Sequence, residues 1–144
     1  MAQTLDEAFR RTSYRVRLDA GEVTLRVDEL SMEIDDLLRR LNFEAGVVVT
    51  AHNPGGTATA AAENERAQAR LKRAIARRGW RSFEGVNVAD DGRWPDEPTL
   101  LVLPEHPDDA VALAADFGQD SVLLVAIGAP ARLVRAARRR SGGA

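Results

Sequence analysis

The chain has no cysteine, which excludes a disulfide framework and a thiolate metal cage and suits a reducing cytoplasm. It also has no apolar run near the roughly 20 residues needed to cross a bilayer. Met1 to Arg11 carries acids and lacks the apolar centre of a signal peptide. These absences lead us to expect a soluble, cytoplasmic protein without a membrane partner. Lysine is nearly missing: Lys72 is the only one, and arginine supplies the remaining positive charge. With the many alanines, that bias points to a GC-rich bacterial or phage genome. The formal net charge of -2 offers no general attraction to nucleic acid. The strands lack the exposed aromatic pairs on which RNA-binding sheets stack bases. No Ser-His-Asp or nucleophile-elbow pattern occurs, and no Gly-Lys-Ser/Thr closes a Walker A loop.

What is present fits one ordinary globular domain of 144 residues, 44% hydrophobic and 29% charged. Leu5 to Arg11 can form a short helix. Tyr14, Val16 and Leu18 alternate with arginines, as do Val23, Leu25 and Val27 with polar residues after Asp19-Ala20-Gly21. This pattern predicts a hairpin with one buried face. Ser31 is a plausible N-cap for a helix whose stripe is Ile34, Leu37, Leu38 and Leu41. Gly46 to Ala51, short and β-branched, reads as a strand buried on both faces.

A polar loop from His52 to Thr59 then feeds a long helix, with Gly79 as its C′ stop. Its buried stripe is Ala67, Leu71, Ala74 and Ile75. Strands are expected at Trp80 to Val88, Thr99 to Leu103 and Ser121 to Ile127. A helix opens at Pro107 and ends at Gly118. An Arg-rich helix or tail begins after Pro130, so the structured core is expected at 13–128, with 129–144 as the C-terminal appendage.

Residues 46–127 therefore run β-α-β-β-α-β, giving an α+β fold of the ferredoxin-like, split-βαβ type with an N-terminal hairpin and helix added. In that topology four places share one edge of the sheet. They are the loop His52-Asn53-Pro54-Gly55-Gly56, the helix start at Glu63 and Asn64, the connection Asp90 to Glu97, and Gly118-Gln119-Asp120. Ligand sites of open α/β sheets favour such strand ends.

The same segments resemble the bacterial and phage domain-of-unknown-function family numbered 3293. The matching pieces are Thr50-Ala51-His52-Asn53-Pro54-Gly55-Gly56; Glu63-Asn64 with Arg66 and Leu71; Gly92-Arg93-Trp94-Pro95 with Glu97; and Phe117-Gly118-Gln119-Asp120. Their order and spacing agree across roughly residues 14–127. The resemblance implies the fold type and no activity. It also marks two departures: His52 stands where the family usually has an aromatic or similar residue, and Thr99 where it tends to have serine.

The candidate ligand-binding residues are His52, Asn53, Gly55, Gly56, Glu63, Asn64, Arg66, Trp94, Glu97 and Gln119. The glycine loop could hold an anion on free N–H groups or be a plain turn with Asn53 as a cap. Glu63 beside it favours a ligand that donates hydrogen bonds. Asn64 reads as a tie for the Asn53 loop, and Trp94 as either a packing anchor or a stacking surface. Glu63 and Glu97 could form an acid–base pair. A metal at His52, Glu63, Asp91 and Glu97 is not expected, and no cofactor is indicated.

Arg66, Arg70, Arg73 and Arg77 share one helical face, and Arg132, Arg135 and Arg138 to Arg140 add a second basic surface. The leading reading is a binding or regulatory module for a small polar, nucleotide-like ligand. A protein- or nucleic-acid-interaction domain using the arginine stripe ranks next, with nucleic acid as a minor prospect, followed by a carboxylate-dependent hydrolase or transferase. The oligomeric state is not legible.

Overall fold

The computed structural model describes residues 5–136. Helix α1, Leu5–Arg10, leads into β1, Thr12–Leu18, and β2, Gly21–Leu25. Leu18 pairs with Gly21, which leaves Asp19 and Ala20 as a two-residue loop. Alternation turns Tyr14, Val16 and Leu25 inward, where they are almost fully buried. Helix α2, Met32–Leu41, starts at Ser31, whose hydroxyl accepts a hydrogen bond from the Ile34 amide at 3.3 Å. It stops at Asn42, in the left-handed conformation that asparagine tolerates.

Strand β3, Ala45–Val49, is buried at every residue. It ends two residues earlier than the apolar run suggests. A 3-10 turn at Pro54–Gly56 follows, and helix α3, Ala61–Arg77, begins only after a further extended stretch. Strands β4, Arg81–Ala89, and β5, Glu97–Leu103, form a long hairpin. Helix α4, Pro107–Asp116, leads to β6, Ser121–Ala126, and then to β7, Arg132–Arg135.

All seven strands join one sheet in the order β2-β1-β4-β5-β3-β6-β7, and every neighbouring pair is antiparallel. The architecture is α+β. The N-terminal hairpin extends the sheet beyond β4.

Two buried clusters lie on opposite faces. Leu71, Ala74 and Ile75 of α3 and Leu113 and Ala114 of α4 pack with Val47, Val49, Leu100 and Val102. On the other face Ile34, Leu37 and Leu38 of α2 join Val48, Leu101, Leu103, Leu123 and Val125. Each such aliphatic side chain contributes roughly 1.5–3 kcal/mol by leaving water. Gly85 is required where β4 meets β1, because a Cβ there would lie 2.3 Å from the Arg15 carbonyl oxygen.

The C-terminal expectation needs correction. Residues 132–135 are neither helix nor tail but β7, paired antiparallel with β6. Leu133 and Val134 are half-buried between exposed Arg132 and Arg135, and the free edge of β6 supplies hydrogen-bond partners that a helix here would forgo. Residues 137–144, with Arg138 to Arg140, lie outside the described residues. Among the described residues, no helix is long and apolar enough to cross a membrane.

Candidate functional site

At the end of the sheet where β3 stops, the polypeptide needs other partners for its backbone. Gln68, buried on α3, provides them: its side-chain oxygen accepts from the Ala51 amide at 2.9 Å, and its nitrogen donates to the Pro98 carbonyl at 3.3 Å. His52 Nδ1 lies 3.3 Å from the same oxygen. Thr50 donates its hydroxyl to the Pro98 carbonyl at 2.8 Å and accepts from the His52 amide at 3.1 Å.

The loop beyond is held by two asparagines. The Asn53 amide donates to Asn64 Oδ1, and Asn64 Nδ2 donates to Asn53 Oδ1, both at 2.9 Å. Asn53 Oδ1 also accepts from the Thr59 amide at 3.0 Å, which leaves Asn53 Nδ2 to donate to Glu97 Oε1 at 2.8 Å. Asn64 thus ties down the loop, and the loop in turn positions Glu97.

Backbone amides complete the arrangement. Gly55 donates to the Gly118 carbonyl, Gly56 to Asn53 and Thr57 to Pro54. The loop is therefore not an anion cradle, since these N–H groups are consumed internally and α3 starts several residues later. Gly118 has a φ of +78°, and a Cβ on it would lie 2.6 Å from the Pro54 Cβ. Only glycine lets the two loops touch. Gln119 adds a bond from its side-chain nitrogen to the His52 carbonyl at 3.1 Å.

Inside this rim lies a cavity of about 140 Å³ on the sheet face that also carries α2. Its floor is a cross-strand row: Tyr14 on β1 pairs with Asn87 on β4, and Asn87 pairs with Glu97 on β5. Thr99, two residues after Glu97, faces the same way. Phe9 of α1, Trp94 and Pro95 of the β4–β5 connection, and Leu123 and Leu133 of β6 and β7 provide apolar wall. Trp94 is 51% exposed and sits at the mouth.

Three floor residues each bury a polar atom, Tyr14 Oη, Asn87 Oδ1 and Thr99 Oγ1, that makes no hydrogen bond among the described residues. Tyr14 is 3% exposed and Thr99 2%. Burial, reinforced by the negative charge of Glu97, pushes the Tyr14 hydroxyl well above the ordinary tyrosine range. It stays protonated and can donate.

The expected residues divide clearly. His52, Asn53, Gly56, Trp94, Glu97 and Gln119 all line the cavity. Asn64 is buried behind Asn53, and Gly55 faces solvent. Glu63 and Arg66 are exposed on α3 and do not line the cavity, so Glu63 and Glu97 are not brought together there. Arg70, Arg73 and Arg77 continue the exposed stripe. Asp90 is a structural partner: Arg26 grips its carboxylate at 2.8 and 3.0 Å and also bonds the Ser13 hydroxyl at 2.8 Å. Among the described residues, no group of three or more His, Cys, Asp or Glu could hold a metal ion.

Sequence reasoning missed Tyr14, Asn87 and Thr99 as site residues. A usable signal existed at Asn87 and Thr99, polar residues inside segments that otherwise read as strands. Tyr14 carried none, because an aromatic in an alternating strand reads as core.

Fold and site together define a small α+β domain with a polar-floored cavity at one end of its sheet. The chain belongs to a family described as Protein of unknown function (DUF3293), whose model matches residues 49–122. That span is narrower than the resemblance drawn from the motifs. It contains Asn87, Glu97 and Thr99, whereas Tyr14 and Phe9 come from the preceding hairpin and helix. Neither a curated protein nor a solved structure matches the chain.

Proposed function

We propose that this protein is a binding module that holds a small polar ligand in the cavity above Tyr14, Asn87, Glu97 and Thr99. The observation carrying the reading is that three residues, each burying a polar atom with no partner among the described residues, line one cavity. Leaving a buried donor or acceptor unsatisfied costs about 1–3 kcal/mol. Such groups are rare in folded proteins and call for a reason. A concave, largely apolar pocket with a few convergent polar groups is the usual form of a small-molecule site.

The volume supports a ligand about the size of a single ring, since a cavity of roughly 150 Å³ accommodates benzene. A nucleotide-like ligand would place only its base inside, with the rest emerging past Trp94, whose ring offers a stacking surface. The order β4-β5-β3-β6, with α3 linking β3 to β4 and α4 linking β5 to β6, supports the split β-α-β-β-α-β reading of residues 46–127. In that reading the site lies at the strand ends.

The test is a thermal-shift and NMR screen of ring-sized polar compounds, nucleobases included. A ligand is expected to raise the melting temperature and to shift the resonances of Tyr14, Asn87 and Thr99. Tyr14→Phe should weaken that ligand several-fold without unfolding the protein. A panel that leaves all three residues unshifted at millimolar concentration would refute the proposal.

A further inference from the structure

We infer that the ligand of this cavity is a small planar organic cation carrying N–H groups, of the amidinium or guanidinium class. The inference rests on the binding reading above and adds the sign of charge. Among the described residues, no arginine or lysine lines the cavity, although arginine is abundant in the chain. Among the described residues, the acidic ones lining it are Glu97 and Asp120, and His52 is the one titratable base.

Glu97 Oε1 is committed to Asn53, which fixes the carboxylate at the floor and leaves Oε2 for another donor. On the neighbouring strand Asn87 sits directly opposite Glu97, and its Oδ1 is a buried acceptor with no partner among the described residues. Side chains opposite one another across antiparallel strands have Cβ atoms roughly 4.5–5.5 Å apart. A flat group with two N–H bonds on one edge can donate to both oxygens at once.

The opposite sign is disfavoured on two counts. A phosphate or carboxylate would face Glu97 with no cation among the described lining residues to offset it, and an uncompensated buried charge is strongly unfavourable. The Asn53–Gly56 loop offers no anion nest, because the Gly55, Gly56 and Thr57 amides are already bonded. The Tyr14 and Thr99 hydroxyls can serve either sign, so they do not rescue an anion. Phe9, Tyr14 and Trp94, in contrast, give a cation aromatic surface to contact.

Three ring compounds of nearly equal shape test the sign directly: benzamidine, benzamide and benzoate. Titrations of the full chain, followed by calorimetry and by the Tyr14, Asn87 and Thr99 resonances, should rank the cation at least tenfold above the neutral amide. Benzoate should not bind. Glu97→Gln, checked for folding by its melting temperature and NMR spectrum, should abolish the preference for benzamidine over benzamide.

Benzamide or benzoate binding as tightly as benzamidine would overturn the cationic assignment and leave the cavity reading standing. Failure of all three to bind would also overturn the cationic assignment, and the wider ring panel then judges the cavity on its own. The wild-type ranking needs no variant, so a Glu97→Gln protein that does not fold leaves the test intact.

Discussion

Beneath α2 the sheet presents Leu101, Leu103, Leu123 and Val125; a short way along the same strands and the same face it presents Glu97, Thr99 and Ser121. At the end of β3 the change falls between Val48 and Thr50, just past the strand, and on β4 between Phe83 and Asn87. The apolar half is closed by Ile34, Leu37 and Leu38 of α2. The polar half is bordered by α1 and the Trp94-Pro95 segment, which leave a cavity between them. The comparison teaches that a buried strand position is not a single environment. Where a helix stripe supplies matching apolar surface, the strands are aliphatic. Where it does not, the same face carries hydroxyls, an amide and a carboxylate, and among the described residues Tyr14, Asn87 and Thr99 each keep a buried polar atom without a partner.

The largest expected effect breaks the apolar half. Leu101 is fully buried, and Leu101→Ala removes its methyl groups and leaves a void, so unfolding in denaturant should show a loss of about 2–5 kcal/mol. Ligand affinity at the neighbouring cavity should fall far less, provided the variant is assayed while folded.

Two residues earlier on β5, an isosteric change should have the opposite sign. Thr99→Val deletes a buried hydroxyl that has no hydrogen-bond partner among the described residues. Because an unsatisfied buried group costs about 1–3 kcal/mol, the variant should be unchanged or more stable by about 1 kcal/mol, with weakened ligand binding. A destabilisation as large as that of Leu101→Ala would mean that the two halves are one ordinary core.

The smallest effect sharpens the border. The Arg26 hydrogen bond, helped by Ser13, holds the Asp90 carboxyl below the ordinary aspartate value of 3.8. The resulting stabilisation is fully present above that ordinary value and is lost as the pH falls through the lowered one. Both side chains are more than a third exposed, so solvent screening limits the pair to at most about 1 kcal/mol. Arg26→Ala should lower the neutral plateau by at most about 1 kcal/mol and flatten the stability-versus-pH curve below the ordinary value, so that variant and parent converge in strong acid. A steep acid dependence that survives in Arg26→Ala would place its origin elsewhere.

Local pattern made most elements legible. Alternation placed the β1–β2 hairpin, the apolar run marked β3, and Ser31, Pro107, Gly79 and Gly118 marked helix ends. The last strand escaped because Arg132–Arg135 is too short to display a period, and only the open edge of β6 makes it a strand. For the site, Asn53, Trp94, Glu97 and Gln119 were legible through their place at strand ends. Glu63 was misleading, since one helical step of about 100° separates it from Asn64. That step turns it to solvent while Asn64 enters the loop.

By itself the sequence determined which residues alternate, which helices carry apolar stripes, and which loops must bend at glycine, because these depend on neighbours a few positions away. Tertiary structure alone decided that Tyr14, Asn87 and Glu97 form one row. Strand pairing aligns residues far apart in the chain, and a shift of one residue would turn each side chain to the other face. The polar edge anticipated from loops thus became a cavity whose floor is made of strand residues.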